Sequence, residues 1–176
     1  MLIAGDEASG YSICAKLVDK DLPDPRSLAV QSLSKDWPPD EWTKFYSVSL
    51  SGRISTVELD LELHGPWVWE LYNVMEPQDY FRRFDAAVVC ANPKRADSLA
   101  NVSTFVDSMR HHLNRKIPMF LVVDLSLKPS KDEIEIVRQM GVDLDMAFEQ
   151  VSISDGKNIE GLFKTLANEL NILSSS

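Results

Sequence analysis

The chain has 176 residues, with 18 Lys and Arg against 27 Asp and Glu, for a formal net charge of −9. Hydrophobic residues make up 44% and charged residues 26%, the balance of a globular chain able to fill one core without staples. Two cysteines, Cys14 and Cys90, exclude a disulfide scaffold; the acidic field argues against nucleic acid as a partner, and no uncharged apolar run reaches the ~18 residues of a membrane span.

Both cysteines sit in apolar surroundings and read as reduced, buried small side chains. Met1-Leu2-Ile3-Ala4-Gly5-Asp6 has no basic, apolar leader pattern, and Leu173-Ser174-Ser175-Ser176 offers no cysteine for prenylation. The expectation is a cytoplasmic protein with no direct membrane anchor, reaching membrane or cytoskeleton only through partners. One domain over 1–173 and a short tail, 174–176, fit the length.

Leu2-Ile3-Ala4 is a short apolar run that meets Gly5, followed by a loop ending at Gly10 and a helix over about Tyr11–Asp19. Residues 21–42 carry Pro23, Pro25, Pro38 and Pro39 and read as a long loop. Phe45–Leu50 is a strand, Ser51-Gly52-Arg53 a turn. Val57, Leu59, Leu61 and Leu63 then alternate with Glu58, Asp60, Glu62 and His64, the period of a half-buried strand antiparallel to its predecessor. Gly65-Pro66 stops it. Residues 67–84 are ambiguous, with a helix near Pro77–Phe84 as one reading.

Ala86–Ala91 is a continuous apolar run, a buried central strand. Leu99, Val102, Phe105, Val106, Met109 and Leu113 follow at helical spacing, and Met119–Val123 is a second buried strand. Ser130-Lys131-Asp132-Glu133 is a capping box opening a helix, with Gly141 expected to supply its C-terminal turn. A short strand over Ala147–Ile153 precedes a last helix with Ile159, Leu162, Phe163, Leu166, Leu170 and Leu173 inward. The order β-α-β-β-α-β-α-β-α-β-α predicts a three-layer α/β fold: a six-stranded, mostly parallel sheet with one antiparallel edge strand and helices on both faces.

The loop Gly5-Asp6-Glu7-Ala8-Ser9-Gly10-Tyr11-Ser12 has P-loop spacing after a strand and at the start of a helix, where backbone amides and the helix N-terminus converge on phosphate. Tyr11 stands where lysine supplies the point charge on the outer phosphates. Arg110-His111-His112-Leu113-Asn114-Arg115-Lys116 reads as a solvated, dipole-matched helix end, and its adjacent histidines point to different faces, a poor metal site. No metal site is expected unless Ser12 and Glu62 hold magnesium.

Ala87–Ala91 with Asp97–Val102, and above all Asp155-Gly156-Lys157-Asn158-Ile159-Glu160-Gly161-Leu162-Phe163, resemble the fourth strand with its following helix and the final-helix motif D-G-x-N-V-x-x-L-F of the Ras/Rab-like small GTPases. The resemblance covers nearly the whole chain and implies the P-loop small-GTPase fold. The start Leu2-Ile3-Ala4-Gly5-Asp6 is also similar, over a short stretch, to the Rab-like intraflagellar-transport GTPases.

By that resemblance, D-x-x-G falls on Glu62-Leu63-His64-Gly65, with Glu70-Leu71-Tyr72-Asn73 as an alternative lacking the glycine. Pro66 then stands where a glutamine orients the attacking water, and it has no donor. The base-reading N-K-x-D falls on Asp124-Leu125-Ser126-Leu127, and Leu127 cannot accept guanine's hydrogen bonds. S-A-K falls on Ser152-Ile153-Ser154, where Ile153 crowds the base. Ser34 and Thr43 are the candidates for the switch I threonine.

The resemblance therefore implies a pseudo-GTPase: a scaffold kept, nucleotide motifs degraded, no cofactor expected, the switch segments fixed as a recognition face. The four tryptophans, Trp37, Trp42, Trp67 and Trp69, all fall within or beside those segments and suit a protein partner. The alternative is a divergent GTPase in vesicular or ciliary trafficking that still binds GTP or GDP with magnesium.

Overall fold

The structure, a computed structural model, describes the backbone of residues 2–5, 43–51, 56–64, 81–82 and 84–174, and the side chains of 81–82 and 84–170. In chain order the elements are β1 (Leu2–Gly5), β2 (Thr43–Ser51), β3 (Thr56–His64), β4 (Ala87–Ala91), α1 (Ala96–His112), β5 (Met119–Asp124), a 3-10 turn (Leu125–Leu127), α2 (Lys131–Asp143), β6 (Ala147–Val151) and α3 (Ile159–Ser174). The expected helix at 11–19, the loop at 21–42, the turn at 52–53 and most of 67–84 lie outside the described residues; Phe81 and Arg82 are helical.

The strands run in the order β2-β3-β1-β4-β5-β6. β1 pairs in parallel with both β3 and β4, β4 with β5, and β5 with β6. β2 pairs antiparallel with β3 from Thr43 opposite His64 to Ser51 opposite Thr56.

β4 and β5 are buried along their whole length, which is why they read as unbroken apolar runs rather than alternating ones. Ala87, Val89, Ala91, Met119 and Leu121 pack with Val102, Phe105, Val106 and Met109 of α1 and Val137 of α2. Their neighbours Val88, Cys90, Phe120 and Val122 point the other way and are equally buried. α3, with Leu162, Phe163 and Leu166 buried, approaches β6 and β2, the two ends of the strand order. The parallel strands are thus covered on both sides.

The helix ends follow local chemistry. In α1, Asp97 stands in the first turn and Arg110, His111 and His112 in the last, both matched to the macrodipole. The capping box at α2 is complete: the Ser130 hydroxyl accepts from the Glu133 amide at 3.2 Å, and the Ser130 amide donates to Glu133 Oε2 at 2.7 Å.

One expectation is corrected. Gly141 does not end α2: the helix runs on to Asp143, with Leu144 as its cap and Asp145 in the left-handed conformation at φ 44°. Gly141 lies where the helix crosses the sheet, and a Cβ there would meet Met146 O and Phe148 Cβ at 3.5 Å and Leu121 Cδ2 at 3.7 Å. The basic cluster is the exposed helix end expected, and it also makes specific contacts. Arg110 donates to the carbonyls of Leu144 and Asp145, and Lys116 pairs with Asp145 at 2.7 Å, so α1 and its connector tie down the end of α2. The rings of His111 and His112 meet edge to face at 4.9 Å. Among the described residues, no group of His, Cys, Asp and Glu side chains is arranged to hold a metal ion. No helix among them is long and apolar enough to cross a membrane.

Candidate functional site

Parallel register brings the carboxyl ends of the strands to one edge of the sheet. Gly5 lies beside Cys90, Cys90 beside Val122, and Asp124 beside Val151. Ligand sites of open α/β sheets form at this edge, because the loops leaving the strands converge there. Glu62 sits opposite Leu2 on one side and Phe45 on the other. Gly10, Tyr11, Ser12, Gly65, Trp37, Trp42, Trp67 and Trp69 lie outside the described residues. What the structure places is Gly5 at the end of β1, Glu62 in β3, and the full cluster around Asp124, Leu127 and Ser152.

Asp124 is the last residue of β5, and its side chain is 4% exposed. Oδ1 accepts from the Ser126 amide at 2.9 Å and from the Ile153 amide at 3.1 Å, while Oδ2 accepts from the Ser126 hydroxyl at 2.5 Å. Sequence position explains the first part: a carboxylate caps the short turn two residues on, as Asp and Asn do in Asx turns. The second part is tertiary, since Ile153 arrives from the loop after β6. One buried carboxylate thereby ties the two loops together, with three donors satisfied.

Leu127 ends the 3-10 turn. Its carbonyl accepts from Lys94 Nζ at 2.6 Å, and Lys128 follows in the left-handed conformation at φ 52°. Lys94 comes from the loop after β4, where the Asn92 amide donates to the Ser98 hydroxyl at 3.0 Å and Asn92 Oδ1 accepts from the Lys94 amide at 3.1 Å. The role of Lys94 is missing from the sequence reading. Its only sequence signal is its place just past the carboxyl end of β4.

The loop after β6 is closed on itself. The Ser152 amide donates to Lys157 O at 3.0 Å, forming an isolated antiparallel bridge. Two residues in that turn take the left-handed conformation, Gly156 at φ 71° and Asn158 at φ 67°, which glycine and asparagine tolerate best. Asn158 Nδ2 also donates to Gln150 O at 2.9 Å, and a Cβ on Gly161 would lie 3.0 Å from Asn158 Oδ1. The glycine and asparagine of the D-G-x-N motif, and the glycine beyond it, therefore each have a steric or hydrogen-bonding reason. The Asp155 carboxyl is held below its ordinary range, chiefly by the Ser152 hydroxyl and, against the opposing effect of partial desolvation, by the Lys157 amide and charge. Ile153 is buried at 7% exposure between the two ties.

A family model for the Ras family matches residues 53–172, more than half of the chain. The chain belongs to the Ras family. The match runs from just before β3 into α3. The α/β architecture, with its parallel sheet and three helices, fits the P-loop small-GTPase fold. No curated protein matches the chain.

Ras-family proteins bind GTP or GDP with magnesium, so the described end of the site can be tested against guanine. Leu127 contributes no side-chain acceptor, the Asp124 carboxylate accepts from three protein donors, and the Ile153 amide donates to that carboxylate.

Proposed function

We propose that this Ras-family chain is a pseudo-GTPase: a small-GTPase fold, with the β2–β3 hairpin as the antiparallel edge of a six-stranded sheet, that works as a non-catalytic protein-interaction module in the cytoplasm. The observation that carries this reading is the Asp124 carboxylate, satisfied within the protein by Ser126 and Ile153. In the sequence, three residues that the resemblance assigns to nucleotide chemistry are replaced: Tyr11 for the phosphate-binding lysine, Pro66 for the water-positioning glutamine, Leu127 for the guanine-reading aspartate. Loss of any one weakens binding; loss of all three removes phosphate charge, base contacts and water alignment together. The proposed partner is a protein docking on the switch face, where Trp37, Trp42, Trp67 and Trp69 supply large apolar anchors.

The test is thermal unfolding of protein checked for co-purified nucleotide, with GTP, GDP and ATP, each with and without magnesium. A ligand that binds only the native state raises the melting temperature by mass action. The expected result is nucleotide-free protein and no shift. A magnesium-dependent shift specific to GTP or GDP would overturn the proposal in favour of a divergent trafficking GTPase. Equal protection by ATP and GTP would point to phosphate binding without base selection.

A further inference from the structure

We propose that the connector 115–118 is a splint for the chain segment leading into central strand β4, with Arg115 as the positioning residue that makes it work. The segment has two buried aromatic anchors, Phe81 and Phe84. It turns between them, with the Phe84 amide donating to Phe81 O at 3.1 Å. Phe81 packs edge to face on Phe105 and stacks on His112, both from α1.

Past these anchors the segment is held from outside by residues some thirty positions away. Arg115 Nη2 lies 2.9 Å from Phe84 O, 3.3 Å from Arg82 O and 2.8 Å from Asp85 Oδ1. Three residues farther along the connector, Pro118 O accepts from the Ala87 amide at 3.0 Å. The connector therefore grips the segment twice, from Arg82 to Ala87, just where it enters the sheet.

The ion pair is the lesser part of this grip. Arg115 and Asp85 are 50% and 67% exposed, and such pairs are screened by water and salt. The two backbone carbonyls matter more, because they are main-chain acceptors of the segment itself and lose a charged donor when Arg115 Nη2 is removed. The splint fixes the point at which the segment enters β4. It is made wholly of protein groups and does not depend on the presence of nucleotide. Nor does it depend on the adaptor reading above.

Native-state hydrogen exchange resolves this at single amides. The variants are Arg115→Ala, Arg115→Lys and Asp85→Asn, read at the Phe84 and Ala87 amides, with the Leu121 and Val122 amides of β5 as internal reference. Loss of the grip should speed exchange at Phe84 and Ala87 on the order of tenfold in Arg115→Ala, less in Arg115→Lys, which keeps a charged donor, leave β5 unchanged, and change less than about threefold in Asp85→Asn. Wild-type exchange in Arg115→Ala, or equal effects of Asp85→Asn and Arg115→Ala, would overturn the carbonyl grip.

Discussion

Asp124 and Ile153, 29 positions apart in the chain, are joined by a buried hydrogen bond from the isoleucine amide to the aspartate carboxylate at 3.1 Å. That bond closes the carboxyl edge of the sheet between β5 and the loop after β6. It also makes a definite energetic claim. Asp124→Ala would strand the buried Ile153 amide and leave the part-buried Ser126 amide without this acceptor, a cost of about 1–3 kcal/mol. Asp124→Asn keeps an acceptor for the amides and offers its NH2 to the Ser126 hydroxyl, so its cost should stay near about 1 kcal/mol. Denaturant titration of both variants separates the two; equal stabilities would sink the latch.

Restoring one nucleotide motif should not restore binding. Tyr11→Lys returns the phosphate charge but leaves Leu127 and Ile153 in place, so GTP affinity should remain weaker than micromolar, short of about 8 kcal/mol. Calorimetric titration reads this directly. Micromolar or tighter binding from that single change would show that base recognition survives by a route other than the Asp124 cluster.

The glycines of the second half of the chain should respond in opposite directions. Gly141 is helical, and an added methyl meets its neighbours at ordinary van der Waals distances of 3.5–3.7 Å. Gly141→Ala should therefore stabilise by roughly 0.5–1 kcal/mol through helix propensity and a less flexible unfolded chain. Gly156 has open space around it but a φ of 71°, and Gly156→Ala should cost about 1–2 kcal/mol from backbone strain alone. Thermal melts of the pair test the assignment of Gly141 to the helix interior.

The capping box at α2 carries a pH signature. Glu133 is held below its ordinary value of 4.5, first by the Ser130 amide and then, against partial desolvation, by the Ser130 hydroxyl and Lys94. A carboxylate depressed in the folded state contributes stability that is present above its unfolded pKa and lost as pH falls through its folded pKa. Glu133→Gln should therefore lower stability near neutral pH and flatten the decline below about pH 4.5. Asp97, Asp145 and Asp155 are shifted in the same direction, so a residual acid slope should persist. An unchanged acid limb in Glu133→Gln would show that the box has no role in it.

What the sequence by itself determined was local. The unbroken apolar runs at 87–91 and 119–123, the serine and glutamate three apart at the start of α2, and the glycine and asparagine at left-handed positions in the D-G-x-N turn all follow from short-range sterics and hydrogen bonding. They were legible because each involves residues within a few positions of one another. The missing acceptor at Leu127 was legible for the same reason: a side chain carries its chemistry wherever it is placed.

Tertiary structure decided what each of those residues meets. Nothing near Asp124 in sequence says that its carboxylate takes the amide of Ile153, and nothing near Lys94 says that it reaches Leu127 O. Gly141 looked like a helix stop because glycine commonly is one. In the folded chain it lies within α2, beside Leu121 and Phe148, with room for a methyl group. Arg115 looked like one charge in a basic cluster until folding brought the carbonyls of Arg82 and Phe84 beneath it. These pairings are set by the parallel register of β4, β5 and β6, a property of the packed sheet rather than of any stretch of sequence within it.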